Sequence, residues 1–257
     1  MRLLVKIGGT LLDADNSRGS LARELAAAGR DHQVVVVHGG GKQMTRFLAE
    51  RGVESRFIDG LRVTTPETID AVLKVFAGSV NKQLVASMIA AGAQAVGLSG
   101  IDACLVEAEL LRPELGQVGR PVRSNPSLLN ILTGAGYMPV VACVAGDRQG
   151  RIYNVNADQM AVACASGFQA DRLVFLTDVE GVLDAGKRLL PVLSLDESED
   201  LIRRGIATGG MQAKLAAAGE ALRNGIAQVV IAPGGAENVL ARLLESEALG
   251  TRLAREV

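Results

Sequence analysis

The sequence predicts an open α/β fold built on a mainly parallel sheet sandwiched by helices. Three observations carry this reading. Short apolar runs recur along the 257 residues: LLVKI (3–7), VVVV (34–37), AVGL (95–98), MPVVACV (138–144), RLVFL (172–176) and QVVIA (228–232). Their nearly unbroken hydrophobicity is what a strand buried on both faces requires. Between them lie segments with helical spacing of apolar residues, such as SLARELAAA, KQMTRFLAERG, PETIDAVLKVFAGS and MQAKLAAAGEALRNG. Several runs end directly in glycine turns; in a fold of this class, ligands bind at the carboxyl ends of the strands.

Taken in order, the first run ends in Lys6-Ile7-Gly8-Gly9-Thr10 and the second in His38-Gly39-Gly40-Gly41-Lys42. Thr65 reads as the N-cap of a helix whose first turn holds Pro66. The spacing of Ile69, Val72, Leu73 and Phe76 on that helix suits either packing against the sheet or a subunit seam. RPELGQVG and GDRQGR interrupt the rhythm, and residues 103–123 and 146–153 are expected as small β-hairpins projecting from the sheet. NVNADQMAVACASG reads as one helix joining two halves, with a boundary near residue 165. Gly225, after LRN, marks a helix stop.

Composition narrows the function classes. A net charge of −1, no tryptophan and seven other aromatics argue against nucleic acid and anionic membrane as partners. Cys104, Cys143 and Cys164 show no metal-type spacing and are expected as reduced core residues of a cytoplasmic protein. Charge recurs at Lys6, too early for a signal peptide. The uncharged stretches Gln83–Ile101 and Ser124–Gly146 are broken by glycines and read as helix, turn and buried strand.

The glycine turns suggest anion sites, but not the familiar nucleotide loops. In HGGGK, Val36 stands where a Walker loop has its first glycine and Gln43 where it has Ser or Thr; Met44 occupies the third glycine position of a dinucleotide fingerprint. Glycine still lets the backbone of a helix N-terminus approach an anion. Lys6 at a strand end, Asp158 in NVNAD, and Lys214 one turn beyond Gly209 and Gly210 could each be ordinary surface or capping residues. His38 reads as structural, Lys42 as solvated and Asn156 as a helix cap.

In this order the segments KIGGTLLD, HGGGKQ, GLRVTTPETID, NKQLVA, GLSGID, NVNADQ, LTDVEGVLD and TGGMQAKL resemble the amino acid kinase family over essentially the whole chain. GLRVT and NVNADQ lean toward members acting on acetylglutamate rather than the aspartokinase, uridylate kinase or carbamate kinase relatives. The resemblance implies the amino acid kinase fold, an amino-acid-binding and dimerisation domain over residues 1–165, and an ATP-binding domain over 166–257. It implies phosphorylation of the γ-carboxylate of N-acetyl-L-glutamate by ATP with Mg²⁺, a step of arginine biosynthesis. Lys6 and Lys214 would flank the moving phosphoryl group, and Asp158 would orient both. Gly8 and Gly9 would give backbone N–H groups to phosphate oxygens. Gly40, Gly41, Arg62 and Asn154 would bind the amino-acid substrate, with Arg62 as a bidentate carboxylate clamp. Asp178, Val179, Glu180, Gly181, Val182 and Leu183, together with Ile206, Ala207 and Thr208, would form the ATP site.

Two other readings stay open: a kinase for a related acyl-amino acid, such as a carrier-bound aminoadipate, and a non-catalytic amino-acid sensor on the same fold. Arginine-inhibited hexameric members of the family carry a helix ahead of the first strand. Here the strand pattern begins at Arg2 or Leu3, so a homodimer without arginine inhibition is expected.

Overall fold

The computed structural model describes residues 1–13 and 15–255, and the side chains of Asp15 and Asn16 lie outside the description. β1 (Arg2–Ile7) leads through a single 3₁₀ turn (Gly9–Leu12) into α1 (Asp15–Asp31), then β2 (Gln33–His38) and α2 (Gly41–Ala49). A two-stranded ribbon follows, β3 (Phe57–Ile58) and β4 (Leu61–Arg62), turning at Asp59 and Gly60, both at positive φ. Next comes one long helical rod: α3 (Pro66–Val72), a π-helical segment (Leu73–Val80) and α4 (Asn81–Ala90). As expected, Thr65 caps it, its hydroxyl accepting from the Thr68 N–H at 3.2 Å, with Pro66 in the first turn.

β5 (Ala95–Ser99), β6 (Val106–Leu110), β7 (Val118–Ser124), α5 (Ser127–Gly134), β8 (Met138–Ala142), β9 (Val144–Gly146) and β10 (Ile152–Val155) complete the first half of the chain. The second half comprises α6 (Ala157–Phe168), β11 (Arg172–Thr177), β12 (Val192–Ser194), α7 (Leu195–Arg203), α8 (Gly209–Arg223), β13 (Gln228–Pro233), α9 (Val239–Leu244) and β14 (Thr251–Ala254).

Eight strands form one sheet in the order β12-β14-β13-β11-β1-β2-β8-β5, parallel throughout except where β14 runs against β13. Each of the six apolar runs read from the sequence contributes a strand to it. β1 is hydrogen-bonded to β2 on one side and β11 on the other, so a single sheet spans both halves of the chain. The order reverses at β1, and such a switch point opens a crevice at the strands' carboxyl ends. In register, Ile7 stands between His38 and Leu176, so the turns after β1, β2 and β11 emerge at one edge.

Four expectations are corrected or narrowed. MPVVACV is not one strand: the chain leaves the main sheet at Cys143, and β9 belongs to a second layer. The two expected hairpins do form, but they close on each other as a four-stranded barrel, β10-β7-β6-β9, because β10 also pairs with β7 and β6 with β9. Cys104 is exposed, whereas Cys143 and Cys164 are buried with burial pushing each thiol up to about 12. Of the apolar residues offered as a subunit seam, Ile69, Val72 and Phe76 are buried within the chain and Leu73 packs on the core, so this face is internal. Among the described residues no helix is long and apolar enough to cross a membrane.

Candidate active site

The site grows from the carboxyl edge of β1. Lys6 lies in register with Val37 and Phe175, so its backbone is held on both sides, and only 7% of the residue is exposed. A lysine so buried needs a counter-charge. α6, which packs against β1, supplies it. Asn156 caps that helix as expected, its side-chain oxygen accepting from the N–H groups of Asp158 (2.9 Å) and Gln159 (3.3 Å). The Asp158 carboxylate is thereby left for other partners. Lys6 Nζ stands 2.7 Å from Asp158 Oδ1, and Lys214 Nζ, from α8, stands 3.6 Å from Oδ2. Burial by itself would raise the Asp158 carboxyl, but the two ammonium groups outweigh it and hold the group below the usual carboxylate range. Two cations on one buried anion leave a net positive charge beside a cleft, which favours an anionic ligand.

The cleft encloses about 370 Å³. Lys6, Gly8, Gly9, Gly41, Arg62, Asp178 and Lys214, all predicted as site residues, line it together. The two glycine turns face each other, since a Cβ built on Gly9 would stand 3.6 Å from Gly41 N. Gly8 commits its own N–H to the Leu176 carbonyl at 2.9 Å, so it is not open to a phosphate. Arg62 is 8% exposed and already well occupied. It donates to Ser55 Oγ, to the Gly41 carbonyl (3.2 Å) and to Thr45 Oγ1 (2.7 Å), and its guanidinium lies 4.7 Å from the centroid of the Phe57 ring. Arg62 therefore ties the β3–β4 ribbon to the start of α2, a role beyond the expected clamp.

Other predicted residues lie off this cleft. Gly40 sits one residue back from the cleft wall, against Phe76. Asn154, on β10, donates to Thr64 Oγ1 at 3.1 Å and does not line the cleft. In the 178–183 segment, Asp178 accepts from Thr177 Oγ1 (3.2 Å) at the cleft wall, Val179, Glu180 and Leu183 are exposed, and Val182 is fully buried. Gly181 allows a close approach: at φ 150° it lies where a Cβ would be 2.7 Å from Thr251 Oγ1. Ile206 borders a second cavity of about 660 Å³ between α7 and the 184–190 turn, Ala207 is buried, and Thr208 is exposed at the N-cap of α8.

Sequence reasoning missed Thr10, Thr45, Phe57 and Thr177, all of which line the cleft, and Lys42, read as solvated, is exposed at its wall. Thr10 and Thr177 flank recognised glycine or acidic positions and were within reach of the pattern. Phe57 carried no local signal, because only the turn at Asp59 and Gly60 brings it back over Arg62.

A mainly parallel sheet whose switch point carries paired lysines on one buried aspartate, between glycine turns, forms a cleft suited to an anionic ligand. The chain belongs to the amino acid kinase family, whose sequence pattern matches residues 1–233. It is 66% identical over 254 residues to an acetylglutamate kinase of Solibacter usitatus, covering 98% of this chain and 99% of that one. An acetylglutamate kinase of Acidobacterium capsulatum is 45% identical, with 93% and 94% covered. By fold, the chain is similar to the N-acetylglutamate synthase of Neisseria gonorrhoeae complexed with coenzyme A and N-acetyl-glutamate. The TM-score is 0.88 at 24% identity, covering 99% of this chain but only 59% of that structure.

Proposed function

We infer that this chain transfers the γ-phosphoryl group of ATP to the γ-carboxylate of N-acetyl-L-glutamate, giving N-acetyl-L-glutamyl 5-phosphate and ADP. The observation that carries the reading is the Lys6–Asp158–Lys214 cluster at the wall of a glycine-lined cleft, in a chain 66% identical to an acetylglutamate kinase over nearly its full length.

The chemistry matches what the cleft offers. A glutamate carboxyl, with a pKa near 4.3, is ionised at neutral pH. Its oxygen attacks the γ-phosphorus, the bond to the β–γ bridging oxygen breaks, and ADP leaves with that electron pair, without a general base. The obstacle is repulsion between two anions, so catalysis is mainly positioning and charge stabilisation. Lys6 and Lys214 neutralise the moving phosphoryl group from two sides, and Asp158 holds both in place. Gly9, rather than Gly8, supplies the backbone N–H beside the phosphates. Gly40 and Gly41 hold the acceptor carboxylate, Arg62 and Asn154 the rest of the acceptor. The nucleotide occupies the second half of the chain along 178–183 and 206–208, with residues 1–165 and 166–257 acting as acceptor and ATP domains. Magnesium accompanies ATP, bound largely through phosphates and water.

An acyl-phosphate trapping assay across acetylglutamate, succinylglutamate, aspartate and acetylaminoadipate tests the assignment: turnover is expected with acetylglutamate foremost. Preference for acetylaminoadipate would favour the aminoadipate reading, and no turnover with any acceptor would favour a sensor. Arg62→Lys should raise the acetylglutamate KM roughly 10-fold, the scale of one lost charge-assisted hydrogen bond, and leave the ATP KM unchanged. Equal effects on both substrates would remove Arg62 from the acceptor site. We also propose a homodimer formed through the first domain. Ile89 and Ile131 expose apolar surface there, at 56% and 67%; a light-scattering mass of one chain or six would contradict it.

A further inference from the structure

The rod from Pro66 to Ala90 changes its winding in the middle. Leu73–Val80 is π-helical, and the Asn81 N–H bonds to the Phe76 carbonyl five residues back. Ser79 Oγ donates to the Lys74 carbonyl (3.4 Å), also five residues back, and to that of Val75 (3.3 Å). Gly78 and Ser79 lie inside the wide turn, and a Gly/Ser pair is a common point for the ladder to loosen. In a regular α-helix, residues five apart point about 140° away from each other. The i→i+5 turn instead brings residues four and five apart onto one face. Here that face carries Phe76, Val80 and Asn81.

All three meet the glycine turn after β2 or the strand before it. A Cβ on Gly40 would stand 2.8 Å and 2.9 Å from two atoms of the Phe76 ring and 3.5 Å from Val80 Cγ2, so the backbone at Gly40 lies flat on this face. Asn81 is fully buried, with Nδ2 3.0 Å from His38 Nε2 and 2.9 Å from the Val140 carbonyl. His38 Nδ1 lies 2.8 Å from the Gly39 carbonyl. Asn81 thus donates to Nε2, and the neutral ring donates from Nδ1 to Gly39. Burial, with Lys82 nearby, lowers the ring to about 4, which keeps that tautomer neutral. Gly97, on β5, makes room for the amide, because a Cβ there would fall 2.0 Å from Asn81 Oδ1.

We propose that the π-helical segment is a positioning device for the acceptor-binding turn, with Asn81 and Phe76 as its positioning residues. Asn81 fixes the Gly39 carbonyl through His38, and Phe76 sets the plane of Gly40. Together they aim Gly40 and Gly41 toward the lysine pair. Neither residue lines the cleft. The inference rests on the reading of Gly40 and Gly41 as acceptor ligands.

Asn81→Ala and Phe76→Leu test it, each compared with the unmodified chain by steady-state kinetics and by hydrogen exchange of the amides at residues 39–44. Each variant should raise the acceptor KM about tenfold, leave the ATP KM within about twofold and speed exchange across 39–44 more than in β11 or β13. A residue that only stabilises the fold would reduce the number of active molecules and leave both KM values alone. That pattern, or unchanged exchange at 39–44, overturns the proposal. Phe76→Leu keeps an apolar side chain in the core and carries the test should Asn81→Ala not fold. If the unmodified chain fails to phosphorylate acetylglutamate, the functional reading falls, while the exchange data still decide whether the π segment holds the turn.

Discussion

Lys214→Ala should lower kcat by roughly 10²–10³, the scale for one lost donor to a transition state. The size follows from position. An ammonium about 4 Å from a transferring phosphoryl charge gains about 4 kcal/mol at an effective dielectric of 20, and roughly 3–4 kcal/mol corresponds to that loss of rate. Lys214 is partly exposed and its contact with Asp158 is long, at 3.6 Å, so the fold should survive its removal. KM values for both substrates should change less than kcat, because the interaction strengthens as charge moves. Steady-state kinetics on the variant check this, and a kcat near that of the unmodified chain would exclude Lys214 from the mechanism.

Asp158→Asn should have the second large effect, on stability as well as rate. The substitution preserves shape but removes the negative charge that pairs with both ammonium groups, one of them buried. Breaking a buried pair on one side costs on the order of 3 kcal/mol. The pH dependence has a definite sign. The folded-state carboxyl is held below its ordinary value, so its stabilisation is present above about pH 4, the unfolded value. It is lost as pH falls through the lower folded value. The stability gap between the native chain and Asp158→Asn should be constant near neutrality and close below pH 4. Urea unfolding at several pH values measures it. A gap independent of pH would show that the carboxyl titrates alike in the folded and unfolded chain and that the two ammonium groups do not lower it. A gap that shrinks as pH rises above about 4 would show a carboxyl held neutral in the fold. Turnover should fall with it, since neither lysine keeps its anchor.

Much of the molecule was legible in the chain. Five of the six apolar runs, and the first five residues of MPVVACV, became strands of one sheet, because residues buried on both faces have little choice of composition. Thr65 with Pro66, and Asn156, were readable as caps, since an unpaired helix N-terminus is satisfied by the side chain immediately before it. The glycine turns after β1 and β2, and the lysines near them, suggested an anion site through local chemistry, and the fold brings Gly8, Gly9, Gly41, Lys6 and Lys214 to one cleft. Family resemblance then assigned the individual roles.

What the tertiary structure decided depends on residues far apart in sequence. Only pairing on both sides of β1 buries Lys6, and only the packing of α6 and α8 brings Asp158 and Lys214 to it. The commitment of the Gly8 N–H follows from β11, a strand encoded in the other half of the chain. Cys143 lies inside an apolar run that reads as continuous, yet the chain changes layers there because β10 offers β9 a second set of partners. The π-helical winding was equally hidden: PETIDAVLKVFAGSVNKQLVA satisfies an ordinary helical pattern, and a shift from four to five residues per hydrogen bond leaves apolar spacing almost unchanged. It becomes visible only where Phe76 and Asn81 meet Gly40 and His38. The sequence by itself determined which segments are buried and where glycine turns end the strands, because those depend on residues in local succession. Which charges face each other was decided by packing, because burial and counter-charge exist only between elements.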